Sequence, residues 1–447
     1  MAALNERKDK MKKKMLAILL VMAMCLGLLA GCGNKNDPAD APDNTPPPVS
    51  SEPTGTQEKV TLSMMNIWCG ADSKAAGWTD IVNAFNAEYQ GVYEVVLEDQ
   101  ADYDAYVEKM KALISSGDTP DLFTFKADRL AEYSGTGELM DLSDAVYNTE
   151  VAGRYNESLL RAAEYEGTLY CIPYETAIIP MMYNTNLLQA AGVNALPTSY
   201  DELYAVSEQL RNSGVYPIAQ STGSAAWFAM LHFSYCLAAV MGADIYDYAY
   251  DSPEWVEAAK LYQSLYPHSE DDMVGSDTSI VNGNFFNERA AIYCNGTWIV
   301  GRIASEGVAG LSDAIDVGGT LSYNGKNGGG YMSVVQAYIG AAATDDVNKQ
   351  AAVKAFVEFV TRADQVLPLC QSSGSLFAVD IDTTQLAEGL QTDIISAASE
   401  ATFLFDHVQD MMSSQVWAAF MENVEGLVLG ETSAEDFCAA LAAANAY

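Results

Sequence analysis

Four tryptophans stand beside small or polar residues, near predicted strand ends or helix starts. They are Trp68, Trp227, Trp298 and Trp417. An indole ring packs well on the apolar face of a pyranose, while carboxylates and arginines hydrogen-bond the sugar hydroxyls. The combination of tryptophans and acids predicts carbohydrate binding. Any single tryptophan could instead pack in the hydrophobic core.

A single carboxylate, Glu175, interrupts an otherwise apolar stretch from Tyr170 to Asn184. Pro173 and Pro180 prevent a continuous helix and limit where the backbone can donate to a sheet. The pattern predicts two strands joined at a kink. Glu175 is then either solvated at a bend or directed at a polar group in a cleft.

Motifs of the common hydrolases, metalloproteases and nucleotide-binding enzymes are absent from the sequence, and the three histidines are isolated from one another. We therefore expect no metal site, no cofactor and no histidine-based catalysis. One enzymatic alternative remains, a glycoside hydrolase in which Glu175 and Asp128 flank the scissile bond.

The chain is strongly acidic, with 60 Asp and Glu against 23 Lys and Arg, a formal charge of −37. A surface of this sign repels nucleic acid, which we exclude as a partner. High negative charge also keeps a protein soluble. A binding site for a cationic ligand, such as a polyamine or a peptide, is the second alternative.

The N-terminus has the pattern of an export signal. Five lysines between positions 8 and 14 precede Met15–Leu29, an apolar run too short for an ordinary membrane span. Its ending, Leu29-Ala30-Gly31-Cys32, resembles the bacterial lipoprotein box, which implies cleavage after residue 31 and lipidation of Cys32. Residues 32–58 are rich in proline and predict a disordered tether.

Beyond the tether, strands alternate with helices. Val60 to Trp68 is a predicted strand, a helix follows from about Thr79, and Val92 to Leu97 returns as a strand. This order indicates an α/β fold with mostly parallel sheets covered on both faces.

Two motifs resemble family 1 extracellular solute-binding proteins of bacterial ABC importers, within them the maltodextrin-binding type. Gly117-Asp118-Thr119-Pro120-Asp121 is similar to the family's G-D-x-P-D segment. Asn295-Gly296-Thr297-Trp298 is similar to its N-G-x-W loop. Their order along the chain is that of the family.

The resemblance implies ligand contacts at specific positions. Asp128 and Arg129 correspond to a sugar-binding Asp-Arg pair, with the aromatic Phe125 three residues before the acid. Glu175 corresponds to a sugar-binding glutamate. The other residues implied or selected as ligand contacts are Trp68, Asp72, Trp227, Trp298 and Trp417. Unlike the maltodextrin binders, this chain lacks an acid and a tyrosine between Ser221 and Trp227.

The resemblance also implies a periplasmic-binding-protein-like fold of the class II type, with a ligand cleft between two lobes. Lobe 1 would comprise residues 59–174 and 331–368, and lobe 2 residues 175–330 and 369–447. The chain would cross between them near 174–176, 326–332 and 368–374.

We accordingly expect a substrate-binding lipoprotein rather than an enzyme. It would be monomeric and lipid-anchored at the outer face of the cell membrane, or periplasmic if the source has an outer membrane. It would bind a carbohydrate, most simply an oligosaccharide, and deliver it to a permease that works with a separate ATPase.

Overall fold

The structure is a computed structural model that describes residues 59–445, apart from 99, 101–102, 127–128, 225 and 246–247. The predicted signal peptide (1–31), the predicted lipidation site Cys32 and the predicted tether (32–58) lie outside the described residues.

The strands are β1 (Val60–Met65), β2 (Tyr93–Glu98), β3 (Leu122–Phe125), β4 (Glu164–Tyr165), β5 (Thr168–Leu169), β6 (Cys171–Ile179), β7 (Met181–Asn184), β8 (Tyr216–Ala219), β9 (Ala290–Cys294), β10 (Ile315–Gly318), β11 (Tyr331–Ala341), β12 (Leu376–Phe377) and β13 (Leu404–Phe405).

The α-helices are α1 (Ala75–Glu88), α2 (Tyr103–Ser116), α3 (Leu130–Ser134), α4 (Ser143–Tyr147), α5 (Glu157–Ala162), α6 (Thr185–Ala190), α7 (Tyr200–Asn212), α8 (Trp227–Met241), α9 (Pro253–Gln263), α10 (Thr278–Phe286), α11 (Val300–Glu306), α12 (Val347–Val360), α13 (Ala363–Ser373), α14 (Leu390–Ser399), α15 (Ser414–Leu429) and α16 (Ala434–Asn445). Short 3-10 turns include Thr297–Ile299 and Val408–Met411.

Two sheets organise the described part of the chain. In the first, the strand order is β12-β6-β11-β3-β1-β2, with β13 also paired to β11. In the second, the order is β10-β7-β9-β8. A small hairpin of β4 and β5 stands apart from both.

The sheets are mixed, which corrects the expectation of mostly parallel strands. In the first sheet β1 pairs in parallel with β2 and β3, but β11 is antiparallel to both β3 and β6. In the second sheet only β8 and β9 are parallel. The reason is that β6 carries the chain out of the first sheet and β11 carries it back, so these neighbours must run in opposite directions.

Each sheet has its own hydrophobic core, and the two long strands β6 and β11 contribute to both cores. Ile172 and Ile339 pack in the core of the first sheet, whereas Ile179 and Met332 pack in that of the second. These strands are therefore the physical connection between the two halves of the molecule.

The connections fall where the backbone pattern changes. The chain leaves the first sheet at Pro180, between β6 and β7, because proline cannot donate to a sheet ladder. It returns at the start of β11. The loop after α13 leads into β12, which pairs with β6 in the first sheet, and residues as far as Leu386 pack in the first core. The lobe boundaries given above stay predictions.

Sequence signals for helix starts were informative to within a residue. Ser199 Oγ accepts the backbone N–H of Glu202 at 3.3 Å at the start of α7, as the capping box predicts. Ser252 caps α9, with Pro253 as its first residue. At α16 the spacing of Thr432 and Glu435 also predicts a capping box, but the cap lies one residue later, since Ser433 Oγ accepts the N–H of Asp436 at 3.0 Å.

Within the described residues, no helix combines the length and the apolar character needed to cross a membrane.

Candidate functional site

The loop between β1 and α1 places Trp68, Asp72 and Lys74 at the carboxyl edge of the first sheet. Asp72 Oδ1 accepts the backbone N–H of Lys74 at 2.8 Å, which fixes the turn. The same oxygen lies 3.0 Å from Lys74 Nζ. Lys74 folds inward and is 1% exposed, an unusual position for a lysine.

Glu175, in the middle of β6, contacts both Trp68 and Lys74 and completes this cluster. Its Oε2 accepts the indole N–H of Trp68 at 2.7 Å, and its Oε1 lies 3.2 Å from Lys74 Nζ. Lys74 Nζ also donates to Ser375 Oγ at 3.4 Å. The cluster joins the β1–α1 loop, the connecting strand β6 and the loop between α13 and β12.

Burial and charge act against each other in this cluster. Burial raises the pKa of Glu175, and the Lys74 ammonium opposes part of that rise. Burial acts to lower the pKa of Lys74, but the carboxylates of Glu175 and Asp72 outweigh it and hold that pKa above its ordinary value. Lys74 is therefore a protonated, fully paired cation at neutral pH.

Trp68 forms a wall of a pocket in the first lobe. One side of the indole packs edge-on against Trp78, at 4.7 Å between ring centroids, and against Tyr174 at 5.5 Å. The pocket has a volume of about 420 Å³, within the range of small-molecule sites. Its other lining residues are Asn66, Cys69, Gly70, Ala75, Ala76, Thr79, Leu97, Glu98 and Gln100.

Sequence reasoning missed the polar members of this lining, Asn66, Thr79, Glu98 and Gln100. The signal that could have found them is their position. Asn66 directly follows β1, and Glu98 and Gln100 stand at the end of β2. Because β1 and β2 are parallel, their carboxyl ends meet at one edge of the sheet, where ligands of open α/β sheets bind.

In the second lobe, a chain of side-chain hydrogen bonds shapes the loop that carries Trp298. Tyr293 donates its hydroxyl proton to Asn282 Oδ1 at 2.5 Å and accepts from the amide of Asn295. Asn295 Oδ1 then accepts the N–H of Gly296 at 2.8 Å.

Gly296 is required because the Trp298 ring folds back over it. A Cβ at position 296 would overlap carbon atoms of that ring. The turn Thr297–Ile299 contacts β6, so this loop lies against the strand that carries Glu175. Trp298 itself is half-buried.

Trp227 and Trp417 are also half-buried, and each stacks on a neighbouring ring. Trp227 begins α8 and stacks on Phe228 at 3.8 Å between centroids. Trp417 lies in α15 and stacks on Phe420 at 5.6 Å. Trp227 follows β8 and Trp298 follows β9, and these strands are parallel, so both tryptophans lie at the carboxyl edge of the second sheet.

The remaining predicted site residues are placed differently. Phe125 is 2% exposed and packs among Tyr133 and Tyr338 in the first core, so its ring faces other aromatic rings. Arg129 is half-buried and pairs with Glu132 at 2.8 Å. Asp128 lies outside the described residues. Trp68 and Glu175 thus contact each other directly and Asp72 joins them through Lys74, whereas Phe125 packs elsewhere.

Among the described residues, no group of three or more His, Cys, Asp and Glu side chains has an arrangement that could hold a metal ion.

Comparison with known proteins gives the chain a family context. A family model described as bacterial extracellular solute-binding protein matches residues 80–379. The maltotriose-binding protein of Pyrococcus abyssi is 25% identical over 223 residues, 48% of this chain and 45% of that protein. The diacetylchitobiose binding protein DasA of Streptomyces coelicolor is 26% identical over 195 residues, 43% of this chain and 42% of that protein. The chain thus spans less than half the length of these two curated relatives.

Solved structures agree with the fold. A chitin oligosaccharide binding protein superposes with a TM-score of 0.78 at 20% identity, covering 87% of this chain and all of that one. Maltose-bound MalE3 of T. maritima superposes with a TM-score of 0.69 at 17% identity, covering 86% of this chain and 98% of that one. The two-lobed α/β architecture expected from the sequence is confirmed.

Proposed function

The chain belongs to the bacterial extracellular solute-binding protein family, and we propose that it captures a carbohydrate between its lobes for an ABC importer. The ligand is most simply an oligosaccharide, which the closed protein delivers to the membrane permease. The energy for transport comes from a separate ATPase.

One observation carries this proposal, the presence of indole rings at the carboxyl edges of both sheets. Trp68 lines the first-lobe pocket beside Asn66, Glu98 and Gln100. Trp227 and Trp298 stand half-buried at the corresponding edge of the second sheet. Aromatic faces with a few hydrogen-bonding groups on each side suit a pyranose ring, which has apolar faces and a polar rim.

The connecting strands supply a mechanism for closure. Since β6 and β11 contribute to both cores, small dihedral changes near Pro180 and at the start of β11 can move one sheet relative to the other. A ligand that contacts both lobes favours the closed arrangement by its differential affinity for that state.

Isothermal titration calorimetry against a panel of oligosaccharides tests the proposal. Maltotriose and diacetylchitobiose belong in the panel because two relatives bear their names. We expect a one-to-one enthalpic signal with at least one member. Binding of an amine such as spermidine, with no sugar bound, would overturn the carbohydrate assignment.

The excess of acidic residues favours a cationic ligand, but the acids beside Trp68 do not. Although the chain is acidic overall, Lys74 already pairs with Asp72 and Glu175. A cation entering beside Trp68 would therefore meet a partly neutralised cluster rather than two free carboxylates.

The hydrolase alternative requires a carboxyl pair open to a glycosidic bond. Glu175 is 2% exposed and hydrogen-bonded to Trp68. Incubating each bound oligosaccharide with the protein and chromatographing the mixture separates the two functions, because a binding protein returns its ligand intact.

The proposal includes lipid attachment at Cys32 and a position at the outer face of the membrane, with the monomer as the working unit. Metabolic labelling with tritiated palmitate tests the anchor. We expect label in the membrane fraction for the natural sequence and none for Cys32→Ala. Label retained by the variant would place the modification elsewhere.

A further inference from the structure

A buried hydrogen bond connects the strand between the lobes to the wall of the first-lobe pocket. Glu175 Oε2 accepts the indole N–H of Trp68 at 2.7 Å, and each residue is 2% exposed. Trp68 has one donor and Glu175 supplies its acceptor, so this bond fixes the orientation of the ring in its plane.

Glu175 itself does not line the pocket among the residues that the structure describes there. Both of its oxygens are directed at protein groups, one at the Trp68 indole and the other at Lys74 Nζ, 3.2 Å away. A carboxylate that hydrogen-bonds a sugar must present an oxygen to the ligand. The geometry here instead directs Glu175 at the indole.

Lys74 makes this arrangement possible. Without its ammonium, the burial that raises the pKa of Glu175 would lose the charge that opposes it. With the ammonium beside it, Glu175 can remain a strong acceptor for the indole N–H. The bond from Lys74 Nζ to Ser375 Oγ, 3.4 Å long, extends the same cluster to the loop between α13 and β12.

The Trp68 ring is held from a second direction as well. Trp78 and Tyr174 pack against it at 4.7 and 5.5 Å between centroids. Tyr174 immediately precedes Glu175 on β6, so one strand supplies both a packing surface and the hydrogen bond. The position of β6 therefore determines the position of the pocket wall.

We propose that Glu175 is a positioning residue, which holds the Trp68 indole as a rigid wall of a pyranose subsite and does not contact the sugar. The subsite rests on the proposed function, whereas the positioning of the ring does not. Because β6 is also a connecting strand, movement between the lobes is transmitted to this wall.

A ligand-free NMR experiment tests the positioning directly. In protein labelled with ¹⁵N-tryptophan, the Trp68 indole N–H is assigned as the resonance absent from Trp68→Phe. We expect this proton far downfield in the natural protein because it is bonded to a carboxylate. Glu175→Met should shift it upfield, and Glu175→Gln, which keeps an oxygen acceptor, should restore part of the downfield shift.

Loss of Glu175 leaves Lys74 paired with Asp72 alone, and this change could prevent folding. The double variant Lys74→Met/Glu175→Met removes both buried charges and should show the same upfield shift. A Trp68 resonance that does not respond to either Met variant would overturn the positioning role.

A double-mutant cycle tests whether Glu175 acts through Trp68 on binding. The ligand is maltotriose or diacetylchitobiose, whichever gives a calorimetric signal. We expect Glu175→Met to weaken binding about tenfold in the natural background and to have no further effect in the Trp68→Phe background. Equal effects in both backgrounds would mean that Glu175 contacts the sugar directly, and the proposal would fail.

Trp255→Phe is the matched control for Trp68→Phe. Trp255 is fully buried in the second core, and its indole nitrogen has no hydrogen-bond partner within the described structure. This substitution should lower stability without changing sugar affinity.

The NMR experiment and the binding measurements together distinguish failure of the positioning role from failure of the carbohydrate function. If the resonance shifts as expected but no sugar binds, the positioning role stands and the carbohydrate function fails. If a sugar binds but the resonance is unmoved or the cycle is additive, the function stands and the positioning role fails.

Discussion

Glu270 is a buried carboxyl group with too few partners. It is 2% exposed, and its Oε2 accepts the side-chain amide of Asn284 at 2.8 Å, while Oε1 has no partner among the described residues. Burial raises the pKa of Glu270 to about 8; the Asn284 hydrogen bond opposes this rise, and the nearby Asp272 adds to it. The folded protein therefore keeps this group neutral at pH 7.

Replacing Glu270 with Gln should change the pH dependence of stability. With a folded pKa of about 8 against 4.5 for the ordinary group, the native protein resists ionisation, and stability is lost as pH rises between these values. Relative to the natural protein, Glu270→Gln should gain roughly 3 kcal/mol in the free energy of unfolding from about pH 5 to about pH 8. Urea unfolding at a series of pH values measures this gain.

The exposed Glu388 provides the control. Because Glu388 lies at the surface, Glu388→Gln should change the free energy of unfolding by less than about 0.5 kcal/mol. If the free energy of unfolding changed with pH in the same way in Glu270→Gln and in the natural protein, Glu270 would ionise normally in the folded state.

Replacing Gly296 with Ala should lower sugar affinity with little loss of stability. Gly296→Ala places a methyl group where the Trp298 ring lies, and the ring must swing away. We expect sugar affinity to fall at least about tenfold, because the stacking surface moves, while the free energy of unfolding changes by less than about 1.5 kcal/mol. Calorimetry and urea unfolding measure the two quantities.

Gly283→Ala is a suitable comparison, since a Cβ at position 283 meets no atom within 4 Å. This helical substitution should leave affinity unchanged and raise stability slightly. Unchanged affinity in Gly296→Ala would mean that Trp298 does not stack on the ligand.

Individual residue types could be predicted from sequence, but their partners could not. Glu175 was identified by its isolation in an apolar stretch, yet its partner Trp68 is 107 positions away and Lys74 meets Ser375 across 301 positions. Such contacts depend on how strands are ordered in a sheet, and one sequence does not specify that order. Whether Trp68, Asp72 and Glu175 bind ligand stays a prediction.

At the scale of elements, α11 packs closely on the end of α13 and the loop that connects it to β12. A Cβ at Gly301 would lie 2.5 Å from the carbonyl oxygen of Ser373 and 3.3 Å from Ser73 Cβ. Ser73 adjoins Lys74, so α11 also approaches the loop that carries the buried cluster. The contact joins a helix of the second lobe to the end of α13 and to a loop of the first.

Gly301→Ala should force α11 away from the end of α13. The clash involves backbone atoms that cannot rotate away, so we expect a loss of about 1–3 kcal/mol in the free energy of unfolding. Sugar affinity should also change, because the arrangement of the lobes shifts. Thermal denaturation and calorimetry measure these effects.

Gly153→Ala is the matched control for this substitution, because a Cβ there meets no atom within 4 Å. If Gly301→Ala is as stable as this control, the close packing of α11 on the end of α13 is not maintained in solution.

Local patterns predicted the elements better than their directions. The β1–α1–β2 opening follows from periodicity and turn residues, and the structure has it. The antiparallel pairing of β6 with β11 was missed, because it results from the chain leaving and re-entering the same sheet. That route is a property of the whole topology rather than of either strand.

At the scale of the whole molecule, charge opposes folding. Residues 32–447 hold 17 basic and 58 acidic side chains, a formal charge of −41. Close ion pairs such as Arg362–Glu88, at 2.7 Å, are partly exposed and stabilise the fold only slightly. The repulsion among unpaired acids acts over the whole surface and should outweigh them.

Salt should therefore stabilise the protein. Raising NaCl from about 0.01 M to about 0.15 M shortens the screening length from about 30 Å to about 8 Å, which weakens repulsion between distant acids more than attraction within close pairs. We expect the thermal midpoint to rise by a few degrees in differential scanning calorimetry. A midpoint that falls would mean that ion pairs such as Arg362–Glu88 contribute more to stability than the net charge removes, and that the acidic surface is better compensated than its composition indicates.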